Sequence, residues 1–400
     1  MNQPRVLRVL SLATLYPSDA APNFGVFVAR QMEAVARIQQ NGRGAIDLTV
    51  VSPVGLPPFP LSLHPRYRAL ARLPREERRA EVRVLRPRFR LIPAIGGRFN
   101  ARAVARAVLP LAQRLHREAP LDVIDAQFFY PDGPAAVRIG AALGLPVSIK
   151  ARGADIHHWG SRADTGPQVV AAGQVAQGLL AVSQGLADDM AALGMPRERI
   201  AIHRTGLDRA VFRPLDRGEC RARLGLPGDA PILACVGALI ARKGQGFAID
   251  ALVHLPDALL VLAGSGSDEA ALKARAERLG VTSRVRFLGA VPHGELPVVL
   301  NAADVFVLPS ASEGLANAWV EALACGTPVV TTPIAGAREL LTDPAYGRFA
   351  ARDGAEIAAA VRDLLAEPPQ REAVLRGADG FSWEANAEAL VAHWRALAGA

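Results

Sequence analysis

Cysteine is scarce in this sequence. Cys220, Cys235 and Cys325 are the three in 400 residues, and no two of them stand at C-x-x-C spacing. That excludes a disulfide framework and the common zinc modules, and it fits a chain kept in a reducing cytoplasm. Aromatic residues make up 5% of the chain, and none interleave its arginines at a stacking rhythm. A nucleic-acid partner is therefore not expected. Long apolar runs are missing as well, since nothing approaches the roughly 20 residues of a membrane span. The apolar residues 9–16, flanked by Arg5 and Arg8, alternate like a first strand and lead to no small-residue cleavage site, so they are read as a strand and not as a signal peptide. The chain is expected to be soluble or peripheral.

What is present is length, apolar residues and arginine. Four hundred residues, half of them hydrophobic, exceed one ordinary core and call for two α/β domains. The net charge of +8 is carried by arginine, most densely between Arg66 and Arg117. Such a stretch is either a solvated surface or an attractor of phosphate groups, including those of anionic lipid and of diphosphate-linked acceptors.

Short β-branched or leucine-rich runs alternate with helical patterns along the chain, the signature of parallel sheets covered by helices. In the first half, strands are read at residues 6–15, 46–52, 123–126, 147–151, 178–183 and 200–203. Val28, Met32 and Val35 give the core face of the helix after the first strand. Around Gly206 and Pro214 the pattern breaks, and a second block restarts with strands at 232–237, 259–263, 285–288, 305–309 and 329–332. The expected domains are residues 1–206 and 207–380, with 381–400 a C-terminal helix packing back on the first. In doubly wound sheets ligands sit at the carboxyl ends of the strands, so the cleft between the domains is the expected site.

Three passages of the second block carry chemistry. After strand 232–236 the chain reads GALIARKG, where the turn at Gly237 delivers Arg242 and Lys243 to a strand mouth just before a helix, an arrangement suited to a diphosphate. It lacks the phosphate loop of the P-loop NTPases. The next strand ends in AGSGSDEAAL, whose Gly264 and Gly266 permit close backbone approach; with Glu269 at the third glycine position it is an incomplete dinucleotide fingerprint. The third is SEGLANAWVEALACGTPVV: Glu313 lies in a turn after a strand, Gly314 frees the backbone, and the following helix carries Glu321. Two carboxylates with the free amides of Gly314, Leu315, Ala316 and Asn317 between them suit a polyol ligand.

These passages, with VRFLGAVPHGELPVVLNAADVFVLPS, resemble the family-4 group of retaining glycosyltransferases of the GT-B fold over most of the second domain. The first domain matches through PNFGVFVARQ, YPDG and KARGADIHHW. The resemblance implies two Rossmann-like, doubly wound parallel-sheet domains facing a central cleft. It further implies a metal-independent hexosyltransferase with no cofactor, in which the leaving phosphate takes the acceptor proton. Lys243, aided by Arg242, would hold the donor diphosphate, Glu313 would face the sugar and Glu321 the ribose, with the backbone of Val291 at the base and the Gly25 turn approaching the diphosphate. Two positions depart from the family pattern. Ala238 stands where an arginine usually follows the strand-end glycine, and Arg152 where a histidine usually precedes Gly153. Arg152, Asp155 and His157 are accordingly the candidate sugar or acceptor contacts, and a hydrogen-bonding role is favoured over a metal site for His157 and His158.

The expected reaction moves a hexose or hexose derivative from a nucleoside diphosphate sugar, UDP-linked in preference to GDP-mannose, to a hydroxyl of a glycan or lipid-linked acceptor. The enzyme would be cytoplasmic, with peripheral contact at the anionic inner membrane face. The rival readings are a nucleotide-sugar epimerase of the same architecture and a non-catalytic basic nucleic-acid binder.

Overall fold

A computed structural model describes residues 5–40, 46–93 and 97–399. The chain forms two compact units, Met1–Gly206 with Trp383–Ala400, and Leu207–Ser382. Among the described residues no helix is long and apolar enough to cross a membrane.

The first unit is built on strands β1 (Leu7–Leu12), β2 (Ile46–Val51), β3 (Val54–Leu56), β4 (Glu76–Arg79), β5 (Val82–Leu85), β6 (Arg88–Arg90), β7 (Val123–Ala126), β8 (Val147–Ala151), β9 (Gly178–Ala181) and β10 (Ile200–Ile202). Eight of them form one sheet in the order β10-β9-β8-β7-β1-β2-β5-β4, parallel except for the β4–β5 pair; β3 and β6 form a separate two-stranded ribbon. Winding proceeds outward from β1 to β2 and then reverses, so β7 returns to the other side of β1. Strands β7 and β8 are fully buried, as covered parallel strands are, and each carries one charged residue, Asp125 and Lys150, among its apolar and small ones. Helix Val26–Gln40 lays Val28, Met32 and Val35 on this sheet, within a core that also holds Val9, Val123, Leu180 and Trp394.

The final helix, Trp383–Leu397, belongs to this unit, although 176 residues of the other unit separate it in sequence from Gly206. Buried polar bonds fix it there as well as apolar packing. Trp394 Nε1 donates to Asp125 (3.0 Å), whose other oxygen takes Ser11 Oγ (2.8 Å) and Gln127 Nε2 (2.6 Å). His203 meets the carbonyl of Asn386 through Nε2 (2.8 Å) and Lys150 Nζ through Nδ1 (2.7 Å). Burial, followed by the nearby Lys150, pushes the imidazole down to about 2. The ring is thus neutral, with its one proton on the nitrogen that donates to Asn386. Burial likewise lowers Lys150 well below the usual lysine range.

The arginine-rich stretch is only partly a solvated face. Arg86 is buried and donates to Ser52 Oγ (3.0 Å), the Pro17 carbonyl (2.7 Å) and Glu77 (2.6 Å). Arg83 pairs with Glu76 (2.8 Å) and Arg79 with Asp19 (2.9 Å), while Arg88 donates to the Leu73 carbonyl. Arg66, Arg68, Arg72, Arg75, Arg102 and Arg106 remain exposed. The edge strand β4 reads Glu-Glu-Arg-Arg, without the alternation that marks a half-buried strand. Backbone pairing with β5 and these cross-strand ion pairs hold it, so the sequence pattern did not reveal it.

The second unit winds the same way. Its strands β11 (Ile232–Val236), β12 (Leu259–Ala263), β13 (Val285–Gly289), β14 (Val305–Leu308), β15 (Val329–Thr331) and β16 (Gly347–Phe349) form one parallel sheet in the order β13-β12-β11-β14-β15-β16. Asp304 pins the amino ends of its two central strands by accepting from Ile232 N (2.8 Å), Arg217 (2.8 Å) and Arg221 (2.6 Å). The short strand β16 was not evident in the sequence; it adds a parallel edge through Gly347, Arg348 and Phe349.

One buried carboxyl sits at the winding reversal of the first sheet. Asp132, at the start of helix Asp132–Leu143, accepts from Thr14 N (3.0 Å) through one oxygen, and its other oxygen is buried without a partner among the described residues. Burial raises its pKa to about 7, more than the Thr14 amide lowers it. A raised folded-state value means that the protonated form is favoured on folding, so this stability contribution is full below the ordinary carboxyl range and is lost as pH rises through about 7. Asp132→Asn, which mimics the protonated form, should raise the urea midpoint at pH 8 and leave it nearly unchanged at pH 4. An equal shift at both values would show that the group does not titrate in this way.

Candidate functional site

The reversal of winding in the second sheet places β11 and β14 side by side, and their carboxyl ends open at the same edge of a parallel sheet. After β11 the chain turns at Gly237 (φ 148°) into a short 3-10 turn, Ala241–Lys243, which ends at Gly244 (φ 77°). That glycine is obligatory on two counts, because a Cβ there would lie 2.3 Å from the Pro309 carbonyl oxygen. The close approach brings the turn after β11 against the chain leaving β14. Arg242 then closes the junction from both directions: its carbonyl accepts from Ala311 N (2.8 Å), and its guanidinium donates to the Ser312 carbonyl.

At this junction the sequence candidates Arg242, Lys243 and Glu313 meet. Lys243 Nζ lies 2.6 Å and Arg242 Nη1 2.9 Å from the same oxygen, Oε1 of Glu313. The Glu313 side chain is 11% exposed. Burial alone would raise its pKa, but the two cations, Lys243 first, outweigh burial and hold the carboxyl below the ordinary glutamate value. Both cations keep part of their surface in solvent, the arginine 30% and the lysine 15%. The cluster therefore offers positive charge to a second anion besides Glu313. Beyond Glu313, the buried Gly314, Leu315 and Ala316 lead to Asn317, the first residue of helix Asn317–Ala324, whose opening amides have no partner within the helix. An anion or a hydroxyl-rich ligand at this mouth would meet two cations, one carboxylate and a row of amides.

The second carboxylate, Glu321, is held elsewhere on the same helix. It is 3% exposed and its Oε1 receives His293 Nε2 at 2.7 Å. The ring of His293 packs on Phe212 at a centroid distance of 5.0 Å. His293 stands two residues after Val291, in the segment leaving β13, so this candidate for the nucleotide base and Glu321 share one locality through that histidine. Nothing local in the passage VPHGEL marks His293 for a role; its packing on Phe212 and its bond to Glu321 join residues that lie far apart in the sequence.

The AGSGS loop after β12 has a scaffolding role. A Cβ on Gly264 would lie 1.9 Å from the Gly237 carbonyl oxygen, and one on Gly266 2.2 Å from that of Leu239. Leu239 N donates to the Ser265 carbonyl (3.0 Å) and Asp268 N to the Leu239 carbonyl (3.0 Å). The two glycines thus let this loop brace the Gly237 turn. At the departure from the family pattern, Ala238 presents no charge; Gln245 Nε2 donates to its carbonyl (2.8 Å).

The first-unit candidates are differently placed. Gly25 (φ 74°) packs its backbone against Leu15 and Tyr16, at the start of helix Val26–Gln40. Arg152 turns its guanidinium inward, donating to the Gln127 carbonyl (2.8 Å), Gln127 Oε1 (2.7 Å) and Gln31 Oε1 (3.0 Å). Asp155 is wholly buried and accepts from the amides of Phe129 (3.0 Å), Arg152 (3.0 Å) and Gly153 (2.8 Å), so both of its oxygens serve the loop after β8. His157 pairs with Asp189 at 2.8 Å.

The His293–Glu321 bond is short and largely desolvated, with side-chain exposures of 16% and 4%. Replacing His293 by Phe keeps the packing on Phe212 and leaves a buried carboxylate without its donor, at a cost of about 1.5–3 kcal/mol. In a double-mutant cycle with Glu321→Gln the two changes should couple by about 1 kcal/mol or more in urea unfolding. Additive effects would dismiss the pair as a structural unit.

Against known proteins, residues 43–211 match the family described as Glycosyltransferase Family 4, and residues 216–379 match Glycosyl transferases group 1. The D-inositol 3-phosphate glycosyltransferase of Mycobacterium tuberculosis is 37% identical over 218 residues, which are 52% of this chain and 45% of that protein. The match thus spans less than half the length of that relative. Among solved structures, a sucrose-phosphate synthase from Thermosynechococcus elongatus superposes with a TM-score of 0.81 at 20% identity, over 98% of this chain and 99% of the other. The Anabaena protein HepE, in complex with UDP and glucose, gives 0.72 at 20% identity over 98% of this chain and all of that one. The two structural matches show a shared fold over nearly the whole length, and the two family matches follow one another along the two Rossmann-like units. The chain belongs with the GT-B-fold glycosyltransferases, related to Glycosyltransferase Family 4 through its first half and to Glycosyl transferases group 1 through its second.

Proposed function

We propose that this protein is a retaining glycosyltransferase that moves a hexose or hexose derivative from a nucleoside diphosphate sugar to a hydroxyl of a glycan or lipid-linked acceptor. The observation that carries the reading is the meeting of Lys243, Arg242 and the buried Glu313 at the winding reversal of the second sheet, where doubly wound folds bind their ligands. In this reading the donor diphosphate takes the solvent-facing side of Lys243 and Arg242, and the amides of Gly314 to Asn317 meet the same ligand. Glu313 receives a sugar hydroxyl. Glu321 accepts from the ribose through the oxygen that His293 leaves free, and the base lies by the backbone of Val291.

The bond from the anomeric carbon to the diphosphate oxygen breaks, and a bond to the acceptor oxygen forms on the same face. The acceptor proton passes to the departing phosphate, and the nucleoside diphosphate leaves. Negative charge grows on the diphosphate as this happens, and the two fixed cations stabilise it without having to reorganise. Glu313 is assigned a positioning role in this reading: the two cations fix the carboxylate through Oε1, and Oε2 is the oxygen that accepts the sugar hydroxyl. A UDP-linked donor is preferred to GDP-mannose, in keeping with the UDP and glucose named for HepE. The phosphorylated acceptor in the name of the mycobacterial relative favours an acceptor that itself carries phosphate. The setting proposed is the cytoplasm, with peripheral contact at the inner membrane face.

Lys243→Ala should lower turnover by about 100-fold or more, the range for removing a preorganised electrostatic group. Glu313 keeps Arg242 as its partner in that variant, so the fold should persist. Glu313→Gln should retain part of its activity, because an amide oxygen still accepts a hydroxyl. Product NMR of the anomeric coupling should report the donor's configuration for both wild type and Glu313→Gln. An inverted product overturns the retaining mechanism, and a glycosyl adduct on Glu313 found by intact-mass spectrometry overturns its positioning role. Failure of UDP and GDP alike to raise the melting temperature would overturn the donor assignment itself.

A further inference from the structure

Two carbonyls at the junction of Lys243 and Glu313 are held by an arginine that comes from neither loop. Arg352 lies between β16 and helix Gly354–Ala366, in a passage without a motif. Its Nη2 donates to the Ala241 carbonyl (2.6 Å) and its Nε to the Pro309 carbonyl (3.2 Å). Ala241 opens the 3-10 turn that carries Arg242 and Lys243, and Pro309 leads the chain from β14 toward Glu313. One guanidinium thus spans the two segments whose charged side chains meet. The turn's own closing bond is long, Gly244 N to the Ala241 carbonyl at 3.3 Å, so the short bond from Arg352 is the firmer hold on that carbonyl. The Pro309 carbonyl is also the oxygen that Gly244 approaches so closely.

The guanidinium is itself fixed. Its carbon lies 4.9 Å from the ring centroid of Phe247, on helix Gln245–Ala251, which begins just after Gly244. Arg275 approaches the same ring at 5.9 Å and is paired with Asp250 of that helix (2.6 Å). A planar cation resting on an aromatic ring loses less freedom when its donors bond than a flexible ammonium does. The backbone on either side is held as well. Ala350 N donates to the Thr331 carbonyl (2.9 Å) and Ala351 N to Glu356 (3.0 Å), while Asp353 caps the next helix through the amides of Ala355 (2.9 Å) and Glu356 (3.1 Å). A Cβ on Gly354 would lie 2.6 Å from that of Asp250, so the helix after Arg352 starts directly against the helix after Lys243. Arg352 is therefore preorganised to keep the two carbonyls at one separation.

We propose that Arg352 is a positioning residue of the donor site: by holding the Ala241 and Pro309 carbonyls together it sets Lys243 and Arg242 relative to Glu313, and with them the charge offered to the donor diphosphate. It acts through Lys243 and needs no contact with the donor. The proposal rests on the glycosyltransferase reading and extends it to a residue 111 positions from the turn it holds. A misplacement of about 1 Å can cost a positioned group on the order of 100-fold in rate, so a clamp on this turn has leverage that its distance from the chemistry conceals.

The test compares full-length wild type, Arg352→Met and Arg352→Lys, alone and in the Lys243→Ala background. Binding of UDP and GDP is read by calorimetry, and binding of uridine and guanosine, which lack the diphosphate, by saturation-transfer NMR. Arg352→Met keeps an apolar stem beside Phe247 and removes both donors. For the nucleotide that wild type binds more tightly, it should weaken the diphosphate form at least fivefold and leave the nucleoside within twofold. Arg352→Lys, whose single ammonium cannot span both carbonyls as a fork does, should recover only part of the loss. In the Lys243→Ala background Arg352→Met should weaken the nucleotide by less than a further twofold, the mark of two residues acting as one unit. Should Arg352→Met fail to fold, Arg352→Lys is held to the same pattern at smaller amplitude. Unchanged nucleotide affinity, equal loss with and without Lys243, or equal loss for nucleoside and diphosphate overturns the positioning role and leaves the donor reading intact. Full recovery by Arg352→Lys does the same, since charge alone would then be responsible. Binding of neither UDP nor GDP by wild type overturns instead the reading on which the proposal rests.

Discussion

A parallel sheet whose winding reverses at its middle strand leaves a gap at the carboxyl edge that helices cannot fill, because the two neighbouring strands send their connections to opposite faces. In Leu207–Ser382 that gap lies between β11 and β14, and every charged candidate from GALIARKG and SEGLANAW comes to it. Gly244 against Pro309, and Gly264 against Gly237, are the close approaches that let three successive loops share the edge. A side chain at either glycine would separate the loops before any charge could meet.

The electrostatics follow from that crowding. A glutamate as buried as Glu313 is unfavourable as an anion, and burial raises its pKa until Lys243 and Arg242 outweigh the effect. The cations are held close to one another in turn because Glu313 neutralises part of their repulsion. In the proposed function, a site organised in this way would present positive charge to a diphosphate without needing to gather it, which is the condition for stabilising charge that develops only in the transition state. Glu321 uses the opposite device, a single histidine bond and almost complete burial, which suits a fixed acceptor for hydroxyls.

The first unit spends its polar residues on building itself. Asp125, Asp155, Arg152, Lys150 and His203 are buried or inward-facing; the bonds of Asp125, Lys150 and His203 join strands β7 and β8 to the returning C-terminal helix, and those of Arg152 and Asp155 tie the segments after β7 and β8 to one another. Arg86 and Glu77 do the same beneath the arginine-rich stretch.

By itself the sequence determined the alternation of strands and helices, because the periods of 2 and 3.6 are local and burial on both faces of a parallel strand leaves an apolar run such as Ile232–Val236. It also placed Lys243, Glu313 and Glu321 at strand mouths and on one helix, since turn glycines and capping patterns are local too. The strands β4 and β16 escaped it, being edges held by backbone pairing and cross-strand charges without a periodic face. Only the tertiary structure decided which partner each charge takes. It paired Glu313 with both Lys243 and Arg242, gave Glu321 to His293, turned Arg152 and Asp155 inward, and divided one run of arginines between buried Arg86 and exposed Arg66. The physical reason is that an ion pair depends on distance and desolvation, and both are set by loops that the sheet order brings together from positions up to seventy or more residues apart.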